Sequence, residues 1–263
     1  MIEVSRGGSP IVLGLPHTGT DVPGDVWESL NEKGRALVDT DWHIHTLYAD
    51  LGLDLTRVRM PVHRYVIDVN RSPEDESLYP GQNTTGLCPL TDFDGAPIYK
   101  DGMAPDEAEI ARRVATYHAP YHAALSAELK RVRDKYGVAL LYDCHSIRSV
   151  IPYLFEGTLP DFNIGTHSSR SCALAVEKSV YTRCRASGRS TAVNERFKGG
   201  WSTRHYGQPS ENIHAIQMEL AQSTYMDEAP PWAYRPDKAE PLRGLLYRIL
   251  NDLTELVHER LLS

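Results

Sequence analysis

The chain has 263 residues, 41% of them apolar, 24% charged and 8% aromatic, with 28 Lys+Arg against 35 Asp+Glu and a formal net charge of −7. That is the composition of a soluble globular protein with a sizeable core. The acidic balance excludes a protein built to coat nucleic acid, whose phosphates need a basic surface. No apolar run approaches the roughly 20 residues that span a bilayer. The opening MIEVSRGGSP lacks the apolar core of a secretory signal, so no membrane partner is expected. Cys88, Cys144, Cys172 and Cys184 form no CxxC pair and read as reduced thiols of a cytoplasmic protein. Cys144 reads as a small buried hydrophobe. The eleven histidines are the unusual entry in the composition, because histidine is the commonest metal ligand and titrates nearest neutral pH.

In chain order, Ile11–Leu15 is a short apolar run that stops at Pro16, as a buried strand does. Residues 24–38 and 41–52 read as helices. Leu53–Val58 and Tyr65–Val69 read as strands. Residues 72–103 are rich in Pro, Gly, Asn, Thr and Asp, and a loop that long shapes a site rather than merely connecting elements. A helical stretch over 105–135 is kinked near Pro120, and Val138–Tyr142 reads as a second buried strand. Residues 169–186 read as helix, 189–193 as extended and Ile213–Leu220 as a strand. Residues 236–261 form an amphipathic helix with Leu242, Leu245, Leu246, Ile249, Leu250, Leu253 and Leu256 on one side. Strands alternating with helices, without repeats or linkers, predict one domain over 1–263, an α/β sandwich with a mixed, mostly parallel sheet. Ligands of such sheets sit at the carboxyl ends of strands.

Four motifs carry chemistry. Pro16-His17-Thr18-Gly19 follows the first strand, although a surface histidine in a turn reads the same way. Asp39-Thr40-Asp41-Trp42-His43 opens a predicted helix, where capping explains one acid but not two acids and a histidine in five residues. Asp143-Cys144-His145-Ser146 follows the strand 138–142 and sets a carboxylate beside a histidine, as the outer partner of a metal ligand would stand. His17, Asp41 and His145 together make a mixed N/O ligand set with room for water. In Ile213–Leu220, alternation puts Gln217 and Glu219 on one side and Ile216, Met218 and Leu220 on the other. A carboxylate there is either a general base or an edge-strand residue facing water. Two basic clusters, Asp68-Val69-Asn70-Arg71 with Arg64, and Glu195–Gly200 with Thr203–Gly207, supply planar guanidinium forks suited to a carboxylate. They point to a small anionic substrate.

The motifs PHTG (16–19), DTDWHIHTLY (39–48), RYVIDVNR (64–71), TTGLCP (84–89), PYH (120–122), DCHSIRSVIPYLFEGTLPDFNIGT (143–166), RFKGG (196–200), TRHYG (203–207) and HAIQMELAQSTYM (214–226), in this order, resemble the N-formylglutamate deformylase (N-formylglutamate amidohydrolase) family. The resemblance runs nearly end to end. It implies a three-layer α/β/α sandwich similar to the zinc carboxypeptidases and aspartoacylase-type deacylases, and a zinc-activated water. It implies His17, Asp41 and His145 as metal ligands, with Asp21 a rival to Asp41 because the carboxypeptidase pattern takes its acid three residues after the first histidine, where Thr20 stands. Glu219 matches the general base, and Asn70 and Arg71 match the pair that grips a substrate carboxylate. Arg196, Lys198, Arg204 and Tyr206 fall in a loop motif where further substrate contacts are expected. The chain departs from the family's usual residues at His63, Cys144 and Glu195, the last a negative charge beside the expected anion site.

The reaction this implies is hydrolysis of N-formyl-L-glutamate to formate and L-glutamate, a step of histidine degradation, with Zn²⁺ or another divalent ion as cofactor and Arg71, helped by Asn70 and one or more of Arg64, Arg196 and Arg204, holding the substrate carboxylates. A deacylase for another N-acyl amino acid and a non-catalytic amino-acid-binding protein on the same fold are the alternatives. The general base speaks against the second, since a binder needs none.

Overall fold

The computed structural model describes residues 1–78 and 81–259. Its strands are β1 (Glu3–Ser5), β2 (Ile11–Leu15), β3 (Thr56–Arg59), β4 (Ala139–Ile147), β5 (Phe162–Gly165), β6 (Thr191–Val193) and β7 (Ile213–Ala221), in one sheet of order β1-β3-β2-β4-β7-β5-β6. Strands β3, β2, β4 and β7 are parallel, while β1 pairs antiparallel with β3 and β5 antiparallel with β7. The sheet is therefore mixed and mostly parallel, as the sequence predicts.

The helices are α1 (Gly24–Ser29), α2 (Glu32–Arg35), α3 (Ile44–Leu47), α4 (Glu107–Arg113), α5 (Ala119–Tyr136), α6 (Leu174–Ala186), α7 (Trp201–Tyr206) and α8 (Pro236–His258). One sheet face carries Ile11, Leu13, Leu140, Tyr142, Cys144, Ile216, Met218 and Leu220 against Val176, Val180 and Cys184 of α6 and Leu242, Leu246, Ile249 and Leu253 of α8. The other carries Val12, Val58, Leu141 and Ala215 against Tyr121, Leu125, Leu129 and Val132 of α5. This is a helix–sheet–helix sandwich, each strand feeding alternate residues to the two layers. All four thiols are buried and unpaired, and Cys144 is a core residue of the first face.

Several elements differ from their predicted form. The two helices expected over 24–52 are three short pieces. Leu30 is extended, Asn31 starts α2 by accepting from Gly34 N, and Leu37 after α2 and His43 just before α3 take left-handed backbone (φ 49° and 61°) that does not continue a helix. Tyr65–Val69 is not a strand. Its residues are buried but fold as turns, with Val66 N bonded to His63 O, Arg71 N to Asp68 O and Asn70 N to the Asp68 side chain. Burial, rather than strand pairing, accounts for its apolar composition. The helix over 105–135 is real and carries a π-turn at Val114–His118 just before Pro120, where the proline has no N–H to give to the carbonyl four residues back. Strand β4 continues to Ile147, so His145 lies within the strand's last turn of pleat rather than beyond it. Strands β1 and β5 and helix α7, too short to show a period, were not anticipated. Residues 260 and 261 of the predicted C-terminal helix and residues 79 and 80 of the 72–103 loop lie outside the described residues.

Candidate active site

Four segments meet at the carboxyl ends of β2, β4 and β7. Leu15 ends β2 and Pro16 turns the chain, so His17 enters the space above β4. Asp41 stands between α2 and α3, its backbone N–H bonded to His17 O. Its side chain does not cap α3; it accepts from Ser146 N at 3.2 Å. His145 and Glu219 are register partners on adjacent parallel strands, both on the face away from α6 and α8. The ligand atoms of His17, Asp41 and His145 lie within 4.8 Å of one another, and all three residues are buried. Asp21 is exposed and bridges Val62 through its backbone, so it does not belong to this group.

The orientation of the rings decides what the group can hold. His17 Nε2 is 2.7 Å from Asp68 Oδ1 and His145 Nε2 is 3.1 Å from Asp143 Oδ2. Each carboxylate faces Nε2 and so orients its ring with Nδ1 toward the group, and Asn70 Nδ2 also stands 3.1 Å from His145 Nε2. The two Nδ1 atoms then face each other at 3.2 Å, with Asp41 Oδ2 3.2 Å from the His145 nitrogen and 3.8 Å from that of His17. Three such donor atoms converging in a buried place need positive charge among them, supplied by a metal ion or by a proton on His145. Nitrogen and oxygen donors of this kind suit a divalent metal, so the residues fit one. Arg64 answers part of the demand, its guanidinium contacting His17 Nδ1 and standing 3.6 Å from Asp41 Oδ1. Burial alone would lower the His145 pKa, but Asp143 and Asp41 outweigh it and hold the imidazole well above its ordinary value. Burial raises Asp41 and Glu219, each further raised by neighbouring carboxylates and opposed by His145.

Glycines make the packing possible at two points. A Cβ on Gly14 would lie 3.0 Å from Asp143 Oδ1, and one on Gly200 would lie 2.3 Å from Asn70 Nδ2. Gly200 also donates its N–H to Gln217 Oε1 at 2.6 Å, and Gln217 donates to Glu219 Oε2 at 3.0 Å. Glu219 is thus 6% exposed and held in a fixed position on a central strand, not turned to water at an edge.

Above these groups opens a cleft lined by His17, Asp68, His145, Gln217 and Glu219 below, Arg64, Asn70, Arg71 and Arg196 at the sides, Asn83, Thr84 and Thr85 from the 72–103 loop, and the apolar Phe93, Ile147, Leu154 and Phe197. The long loop does form the site wall. Arg71 is braced by Thr85 O at 2.8 Å and Thr84 Oγ1 at 3.1 Å, and Arg196 by Leu154 O at 3.1 Å. Arg64 lies over Phe93 with its guanidinium carbon 5.1 Å from the ring centre.

Other expected site residues are not in the cleft. Lys198 and Arg204 border a separate surface recess with His167 and Arg170, and Arg204 bonds Gly199 O and Leu78 O. Tyr206 packs behind the Asn70 turn against His122. Glu195 is exposed and does not line the cleft. Sequence reasoning missed Asp68 as the partner of His17, and missed Phe93, Thr84 and Thr85. The need of any ligand histidine for a carboxylate partner was the one signal that could have pointed to Asp68.

The model of the family described as N-formylglutamate amidohydrolase matches residues 9–226. A protein named N-formylglutamate deformylase from Pseudomonas aeruginosa is 46% identical over 263 residues, covering 99% of this chain and 98% of its own. One of the same name from Pseudomonas putida is 45% identical, with the same coverage. Among solved structures, N-formylglutamate amidohydrolase from Ralstonia eutropha superposes with a TM-score of 0.83 at 25% identity over 98% of both chains. The Agrobacterium tumefaciens gene product Atu2144 superposes at 0.74 and 16% identity over 98% of this chain and 96% of that one, a likeness of fold.

Proposed function

The chain belongs to the N-formylglutamate amidohydrolase family, and on that premise we propose how it works: it hydrolyses N-formyl-L-glutamate to formate and L-glutamate at the His17–Asp41–His145 site, with a divalent metal such as Zn²⁺ held by those three side chains. When bound, such an ion supplies Lewis acidity, making a nearby water more acidic and a carbonyl carbon more electrophilic. Glu219 takes the proton from the attacking water and returns it to the amine as the C–N bond breaks. Gln217 holds its Oε2, and Glu219 stands beside His145 at the strand ends, in place for both halves of that transfer. Arg64, Arg71 and Arg196 hold the two carboxylates, with Asn70 beside them, so orientation supplies much of the rate. Lys198, Arg204 and Tyr206 act through the shape of the surrounding loops.

The observation that carries this reading is the convergence of two imidazole Nδ1 atoms and one carboxylate beneath a cleft that also holds a buried glutamate and three arginines. A dicarboxylate with a small acyl group fits that charge pattern. The names of the relatives favour formyl over other acyl groups. Four unpaired thiols accord with a cytoplasmic site of action, and no helix among the described residues is long and apolar enough to cross a membrane. A panel of N-formyl-, N-acetyl- and N-succinyl-glutamate, assayed with and without added Zn²⁺, tests the reading. The formyl substrate should show the highest kcat/KM, and only with metal. Preference for another acyl group, or binding without turnover in metal-loaded protein, contradicts it.

A further inference from the structure

The turn that carries Asn70 and Arg71 into the cleft is tied from behind at three consecutive carbonyls. Val69 O is 2.7 Å from His122 Nε2, Asn70 O accepts from Trp201 N at 3.3 Å, and Arg71 O is 2.9 Å from His118 Nε2. Two of these three ties are imidazoles four residues apart, presented by the junction of the π-turn and α5. A π-turn is a local departure from regular helix that recurs at functional places. Here it ends on His118 itself. The rings are packed as a unit: His118 and His122 stand 4.4 Å apart, and Trp201 meets His122 at 4.6 Å. Val69 O can only accept, so it keeps the His122 proton on Nε2. The Tyr206 hydroxyl braces the other side of the residue, 3.0 Å from Nδ1 and 3.2 Å from the His122 carbonyl oxygen, to which it donates. Burial keeps both imidazoles neutral, the condition for this pattern.

We infer that His118 and His122 are positioning residues for substrate. From the far side of the Val69–Arg71 turn, they hold its backbone so that Asn70 and Arg71 stand in the cleft before substrate arrives. Neither touches the cleft. The inference rests on the reading above that Asn70 and Arg71 grip a substrate carboxylate. It also gives the TRHYG motif a role without substrate contact, because Tyr206 acts on His122. Preorganised groups bind more tightly than the same groups left to order themselves on binding, so the effect falls on KM rather than on the proton transfers.

Glutamine and asparagine separate a specific hydrogen bond from mere packing. The Gln amide nitrogen reaches about as far as imidazole Nε2, while that of Asn stops short. With metal-loaded enzyme and N-formyl-L-glutamate, His122→Gln and His118→Gln should keep KM within about twofold of wild type. His122→Asn and His118→Asn should raise it on the order of tenfold, with kcat within about threefold and metal content unchanged. Tyr206→Phe, which leaves every ring in place, should raise KM about threefold and keeps the test open if an Asn variant fails to fold. Gln and Asn variants that behave alike, a kcat that falls while KM holds, or a Tyr206→Phe enzyme identical to wild type would overturn the inference. Wild-type protein that leaves N-formyl-L-glutamate intact would instead contradict the underlying reading.

Discussion

Strands β4 and β7 present two faces that share a backbone and little else. On one lie Tyr142, Cys144, Ile216, Met218 and Leu220, packed against α6 and α8. On the other lie Asp143, His145, Gln217 and Glu219, all buried. Burying that many polar groups is costly unless each is paired. Here Asp143 is set against His145, Gln217 is bonded to both Gly200 and Glu219, and His145 is set against Asp41. One face stabilises the fold through apolar area, and the other keeps charges poised at the strand ends, where α/β folds bind their ligands. A residue's parity along the strand therefore forecasts which kind of damage its loss does.

His145→Ala should show the largest effect, abolishing both stoichiometric metal and formate release. A variant that keeps metal and full turnover would remove this face from the chemistry. Glu219→Gln should bind metal normally and lose on the order of 10²–10⁴ in kcat, read by steady-state kinetics beside metal analysis. Asp143→Asn keeps the shape but loses the charge that orients His145, and should cost about 10–100-fold in metal affinity or activity. Met218→Ala, immediately beside Glu219 in sequence but on the opposite face, should cost about 2–5 kcal/mol of stability in urea unfolding and leave kcat of the folded enzyme unchanged. If it lowered kcat as far as Asp143→Asn, the division between the faces would fail.

Much of this division was legible in the sequence. The alternation in Ile213–Leu220 separated Gln217 and Glu219 from Met218 and Leu220, and the apolar runs at 11–15 and 138–142 located the strands whose ends hold the two histidines. Less legible was whatever depends on distant segments. Asp68 meets His17 across 51 positions of chain, and no local spacing records that. Tyr65–Val69 resembles a strand because it is buried, and only the turn bonds around Asp68 show otherwise. Tyr206 and Arg204 carry the motif's residue types, yet the backbone turns them behind or beside the cleft. Motif identity marks a residue as important without saying which way it faces.

The loops over the polar face add a smaller, pH-dependent effect. Burial pushes the His63 pKa down to about 3, while in the unfolded chain it returns to roughly 6.5. Below about pH 6.5 the unfolded state takes up a proton that the folded state refuses. The contribution is therefore complete above pH 6.5 and is lost as pH falls toward 3, reaching about 2 kcal/mol at pH 5. His63→Gln should flatten the dependence of unfolding free energy on pH between 7 and 5 by that amount. An unchanged slope would mean that His63 takes up a proton in the folded state.

The most direct test of the central claim is formate release from N-formyl-L-glutamate by chelator-stripped protein titrated with Zn²⁺. Activity should start near zero and rise linearly to a plateau at one metal per chain, and His145→Ala should not rise at all. Full activity in the stripped wild-type protein, or none after loading, would contradict the account.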